Sequence, residues 1–225
     1  MSVIDLMHHV SRDEAGGPLV EAAVLIPILF VFSMGSVDFL NALQQWNSAT
    51  KAVEVGARIA AVSDPVANGL NTLSTNAVTA GLANLGAPMP AFTVTCSGAG
   101  SGTCSCSDAV CSGVAISYNA TAMNRIVFGR DGNGTCGDAT SYYNAGMCDI
   151  FSPIAAANVQ IVYTQTGLGY AGRPTPIPTI TVSLQGLTFQ FFFLGGLSGL
   201  GNIQIPPLTT TISGEALTSS AQSPN

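Results

Sequence analysis

Residues 16–63 read GGPLVEAAVLIPILFVFSMGSVDFLNALQQWNSATKAVEVGARIAAVS, and this stretch decides the fold. It is one long helical pattern with an apolar first half and an amphipathic second half. From Ala22 to Val37 only Ser33 and Ser36 are polar, and Pro27 is the one residue unsuited to a helix interior. Leu19, Val20, Phe39 and Leu40 extend the run to roughly the 20 residues that a bilayer crossing needs. Glu21 and Asp38 bracket it. At about 1.5 Å rise per residue they stand roughly 25 Å apart, so both fall near the headgroups and Asp38 marks the membrane boundary. The stretch predicts one membrane span.

Beyond Asp38 the helical period continues. Phe39, Leu43, Trp46, Ala49, Val53, Gly56 and Ala60 recur at intervals of three and four, which lays them along one stripe. Asn41, Gln44, Gln45, Asn47, Thr50, Lys51, Glu54 and Arg58 fill the opposite face, with Glu54 four residues ahead of Arg58 in the favourable order. Ala49, Gly56 and Ala60 are small enough to admit a close neighbour. That neighbour is either the chain's own domain or a second subunit, and spacing alone leaves both open.

A short polar leader ends at Gly16, and Glu21 is the fifth residue of the remainder, just before the apolar helix. This arrangement resembles the start of a type IV prepilin. PILFVFSMGSVDF (27–39) followed by AVEVGAR (52–58) resembles the TadE-like family of pilus-assembly proteins, the pseudopilins of the tight-adherence or Flp system. That family carries an early proline in the span, an acid followed by Phe at its end, and then an A-x-E-G-A-R-like segment. Here Glu54, Gly56, Ala57 and Arg58 stand in that segment, with Val55 inserted as a departure. The resemblance implies processing by a prepilin peptidase between Gly16 and Gly17, with Glu21 part of the processed N-terminus. It also implies partners among other pilins, pseudopilins and pilus-assembly membrane proteins, together with membrane lipid. It covers 16–61 well. More loosely it covers 158–217, where AANVQIVYTQTGLGYAG and PTITVSLQGLTFQFFFLGGL resemble the strand pair of the family's periplasmic domain.

Composition narrows the rest. Charged residues are 8% of 225, six basic against twelve acidic for a net charge of −6, so no basic patch exists for nucleic acid. With 25 glycines and 47% hydrophobic residues, the part after the helix is expected to be a β-rich domain of small residues. Cys96, Cys104, Cys106, Cys111, Cys136 and Cys148 all lie beyond the span, which points to an oxidising compartment, the periplasmic side if the leader stays inside. Asp5, Asp13 and Glu14 make the leader too acidic for an ordinary secretory signal. A secretory cut after Ser33-Met34-Gly35 is the competing reading. His8 and His9 point apart on a helix and have no third ligand nearby.

Asp64 and Pro65 suit the start of a second helix, continued by Leu70, Leu73, Ala77, Ala80 and Leu85 and stopped at Gly86. Phe92 to Cys96 alternates as a strand, and Ala120–Val127 reads as a short helix. Between Ser97 and Cys148 the cysteine spacing suits neither zinc nor an iron–sulfur cluster. Disulfides are expected, with connectivity open. Asn119-Ala-Thr and Asn133-Gly-Thr are read as surface turns, as is Asp131-Gly-Asn-Gly. Asp131, Asn133 and Asp138 resemble part of a calcium loop that lacks its closing Glu. In the last third, Val159, Ile161 and Tyr163, then Ile180, Val182 and Leu184, alternate as strands, and residues 205–213 add another. After a shift near Gly186 the row is expected to continue through Leu187, Phe189, Phe191 and Phe193. Gln190 and Phe192 would then lie on the other face, making Phe189, Phe191, Phe192 and Phe193 a candidate contact patch.

The two histidines lie in the leader, so no Ser–His or Cys–His pair can form in the domain, and no phosphate-cradling glycine loop occurs. No cofactor, metal or small-molecule substrate is expected. The expected class is α+β: a long N-terminal helix that spans the membrane and continues into the periplasm, then a small antiparallel-sheet domain with disulfide-rich loops. The expected divisions are a leader at 1–16, the helix at 17–63 and an extracytoplasmic domain at 64–225. The reading is a non-enzymatic pseudopilin or minor pilin of a Flp-type pilus, single-pass in the inner membrane. The alternatives are an uncleaved periplasmic scaffold of the same machine and a secreted, disulfide-stabilised adhesin-like domain.

Overall fold

The computed structural model describes residues 17–130, 134–137, 144–173, 176–197, 203–214 and 217. The leader with Gly16, His8 and His9, the turn at Asp131–Asn133 and the calcium-like trio lie outside them. Helix α1 runs unbroken from Gly17 to Val62, 46 residues with Pro27 inside it. The chain divides into two compact units, one of residues 17–44 with 189–203, the other of 45–188 with the segment after 203.

In the second unit, the end of α1 is followed by β1 (Ala67–Asn68), a 3-10 turn (Leu70–Thr72) and α2 (Leu73–Thr79). Then come β2 (Thr93–Ser97), β3 (Thr103–Cys106), β4 (Ser117–Tyr118), α3 (Ala120–Phe128) and α4 (Met147–Ile150). The unit closes with β5 (Val159–Thr164), β6 (Thr179–Leu184) and β7 (Leu208–Ser213). Five strands form an antiparallel sheet in the order β3-β2-β5-β6-β7, and β1 pairs with β4 in a separate ribbon. β5 is central, pairing Ile161 with Cys96 on one side and with Val182 on the other. One face is dry: Val94, Cys96, Val159, Ile161, Tyr163, Ile180, Val182 and Leu184 are all buried. The other face carries a row of threonines, with the Thr181 and Thr211 hydroxyls 3.1 Å apart across β6 and β7. A sheet with one wet face is the usual antiparallel solution, and the strict alternation of β5 and β6 follows from it.

The open question about the second half of α1 resolves in favour of its own domain. Ala49, Ala52, Val53, Ala57, Ala60 and Ala61 are at most 2% exposed, and Gly56 sits against Met147 of α4. Glu54 does not use Arg58 as its partner. Lys51 Nζ lies 2.7 Å from its carboxylate, and that ammonium holds the Glu54 carboxyl below the usual range, with Arg58 a weaker influence.

Three expectations are corrected. No helix starts at Asp64–Pro65; the chain pairs as β1 instead, and Asp64 lies 3.8 Å from Arg125 of α3. α2 is shorter than its pattern because Gly81 (φ 71°) takes a left-handed cap. Leu82 N–H then reaches Ala77 O and Gly81 N–H reaches Val78 O, at 2.9 and 3.0 Å, closing the helix end and leaving Leu85 76% exposed. The strand expected to continue through Phe193 stops at Leu184, which pairs with the first residue of β5. A 3-10 turn (Ala156–Asn158) precedes β5, and the ladder on that side ends where the Gln185 N–H bonds to Asn158 O at 2.8 Å. Past an isolated bridge between Thr188 and Gln204 the chain leaves the sheet altogether.

The cysteines pair as Cys96–Cys104, Cys106–Cys111 and Cys136–Cys148. The first joins residues directly opposite in the β2–β3 hairpin. The third binds the loop before α4, where Asp149 also accepts from the N–H groups of Gly137 and Gly146, each at 2.7 Å. Loop closures of 8, 5 and 12 residues correspond to about 2–3 kcal/mol apiece in the chain-entropy account. Denaturation without reductant is expected to expose no titratable thiol, and reduction to lower the melting temperature markedly. Free thiols in the purified, non-reduced protein would contradict the pairing.

Candidate functional site

The first unit is built on the apolar half of α1. Its side chains are exposed on all sides, Leu19 at 73%, Leu29 at 64% and Phe32 at 74% among them. By length and composition it is the one helix among the described residues apolar enough to cross a membrane. Its polar groups are locally satisfied: Ser33 Oγ donates to Phe30 O and Ser36 Oγ to Phe32 O, both at 2.9 Å. Hydroxyls bonded back to the helix in this way carry little penalty in lipid. A β-carbon at Gly17 would meet nothing within 4 Å among the described residues beyond its own helix, and Glu21 is exposed one turn later.

Asp38 behaves differently from Glu21. It is fully buried within an otherwise exposed stretch. Its Oδ1 accepts from the Phe192 N–H and its Oδ2 from the Phe193 N–H, both at 2.9 Å. One turn further on, Asn41 Nδ2 donates to Gln190 O at 2.8 Å. The Phe189 N–H closes the base of the loop on Ile203 O at 2.8 Å. Two charge-assisted bonds to adjacent amides fix the loop's backbone more firmly than neutral bonds would. The loop then enters one helical turn, Leu194–Leu197. The Phe189 and Phe191 rings lie 6.2 Å apart at a tilt of 49°, while Phe192 is 74% and Phe193 44% exposed.

The structure thus brings together Asp38 and the Phe patch, two features that sequence reasoning kept apart. An acid near the headgroups is all that the local sequence of Asp38 predicts, and the 153 residues between it and Phe192 hide the pairing. Glu54, Gly56, Ala57 and Arg58 belong to the second unit and serve two different faces. Gly56 and Ala57 point into the core, whereas Arg58 is exposed. Asn119, read as a surface turn, caps α3, its side-chain oxygen accepting from Ala122 N–H at 3.1 Å.

The sequence model of the family described as TadE-like protein matches residues 19–58. The match lies inside the segment 16–61 and does not reach 158–217. No curated protein and no solved structure matches the chain.

Proposed function

From a TadE-like segment at residues 19–58, we propose that this chain is a membrane-anchored pseudopilin or minor pilin that takes part in building a Tad (Flp-type) pilus. The observation that carries the reading is the coincidence of that segment with α1, apolar and exposed in its first half, buried in its own domain in the second. A helix with no cover over some twenty apolar residues needs lipid or neighbouring helices, and a pilin-like subunit meets one before assembly and the other after it.

In this reading a prepilin peptidase cuts between Gly16 and Gly17, and the disulfide-bearing domain sits on the periplasmic side of the inner membrane. The chain works by packing, without catalysis. Glu21 has a defined task. A carboxylate placed toward the apolar core costs about 2.5–3.5 kcal/mol at the centre of a span and less near its end. The free α-amine of a neighbouring subunit would neutralise it on assembly. N-terminal sequencing of the membrane-bound protein is expected to begin at Gly17. Glu21→Gln is expected to insert normally yet fail to support piliation. An intact Met1 would favour the uncleaved scaffold instead, a start near Ser36 the secreted form, and normal piliation by Glu21→Gln would remove the pairing role.

A further inference from the structure

We propose that residues 190–193 are a second, shallow membrane contact: a foot that rests in the bilayer interface beside the end of the span and is held there by Asp38. The inference rests on reading the first half of α1 as a membrane span, and it adds to that reading a use for the loop and for the acid.

Position along the helix comes first. The exposed apolar surface of α1 continues past Asp38 through Phe39 (63%) and Leu40 (64%). The Asp38 carboxylate fastens Phe192 and Phe193 at this level, so exposed phenyl rings stand beside exposed helix residues where the span ends. In the span reading the occupant around Phe39 and Leu40 is lipid, and the loop shares the same compact unit.

Backbone bonding points the same way. A loop in water can leave its N–H and C=O groups to solvent, but a loop at membrane depth cannot. Here the amides of Phe189, Phe192 and Phe193 and the carbonyl of Gln190 are all bonded within the unit. The Phe192 and Phe193 side chains, by contrast, are exposed. Charge agrees as well: between Arg173 and Glu215 the sequence has no acidic or basic residue, so nothing on the segment opposes entry among acyl chains. An apolar rim on a loop whose backbone is tied within the unit at four groups suits an interfacial lipid contact.

The test uses the full-length protein in vesicles of phosphatidylethanolamine and phosphatidylglycerol whose acyl chains carry bromine at a shallow or a deep position. Trp46 is the single tryptophan, so Trp46→Phe provides a silent background into which Phe192→Trp or Phe30→Trp is placed. The probe at 192 is expected to emit to the blue and to lose most of its intensity to shallow bromine, little to deep bromine. The probe at 30 is expected to be quenched most by the deep position. Adding Asp38→Ala is expected to restore most of the intensity at 192 and leave the probe at 30 unchanged. A water-like, unquenched probe at 192 beside a quenched one at 30 overturns the foot while the span stands. A blue but unquenched probe at 192 overturns it in favour of a protein partner. Quenching at 192 that survives Asp38→Ala overturns the role of the latch. An unquenched probe at 30 removes the span itself, and the foot with it.

Discussion

Gly56→Leu is expected to destabilise the domain strongly and lower its melting temperature. A β-carbon at this position would stand 2.5 Å from the Met147 sulfur and 2.8 Å from its Cγ. Met147 is fully buried, and its neighbour Cys148 is tied to Cys136, so α4 has little room to retreat. Overpacking a tight core costs typically 1–3 kcal/mol for small additions, and a four-carbon side chain here is expected to cost about 3 kcal/mol or more. That is a large share of the ~5–15 kcal/mol that holds a domain folded. Gly56→Ala is expected to be far milder, because helical alanine recovers about 1 kcal/mol over glycine and offsets part of the displacement of Met147. Pairing Gly56→Leu with Met147→Ala should recover stability, since each change makes room for the other, with a coupling of about 1–3 kcal/mol. Near-UV circular dichroism and thermal melts of the detergent-solubilised chain read this directly. A Gly56→Leu protein that melts like the wild type, or a double variant no better than the sum of the singles, would refute the contact.

Tyr163→Ala is the other substitution with a large expected effect. Tyr163 is the penultimate residue of β5 and has none of its surface exposed. Its hydroxyl accepts from the N–H of Val66 at 2.9 Å, just beyond the end of α1. Losing the ring is expected to cost about 3–5 kcal/mol. Tyr163→Phe keeps the ring and strands one buried N–H, for about 1–3 kcal/mol. The phenol also gives a pH signature. Desolvation raises its pKa well above the ordinary value, and the Val66 N–H only partly opposes this. Because the folded pKa is the higher one, the unfolded chain releases the proton first. Stability is therefore full below about pH 10 and falls as pH rises past it, with a slope approaching about 1.4 kcal/mol per pH unit for this group. Tyr163→Phe should flatten the alkaline slope measured by urea melts between about pH 10 and 12. An unchanged slope would mean that the hydroxyl is not buried in the fold.

How much of this was legible beforehand depended on the range of the signal. The long apolar helix, its amphipathic continuation, the short helix expected at residues 120–127 and the alternation of β5 and β6 rest on local periodicity, and helices and strands stand at those positions in the structure, the short helix running one residue further to Phe128. Strand β3 went unread because Thr103–Cys106 looks like cysteine-rich loop, and only its register against β2, with Cys104 opposite Cys96, makes it a strand. The run through Phe193 was misread for the opposite reason. Its first residues alternate, but β5 begins opposite Leu184, and beyond it only an isolated bridge and single backbone bonds to residues 203–205 remain to hold a strand.

The same division runs through the candidate site. The sequence by itself determined that a long apolar helix with bracketing acids begins the chain, that six cysteines lie beyond it, and that an alternating sheet follows, because hydrophobic period and composition act over a few residues. Tertiary structure decided which side of α1 meets its own domain, which cysteine bonds to which, and that Asp38 serves the amides of Phe192 and Phe193 rather than solvent. Those outcomes turn on contacts between residues up to 155 positions apart. A carboxylate's local sequence records that it must find donors, but only the closed fold brings a particular pair of N–H groups within 2.9 Å of it.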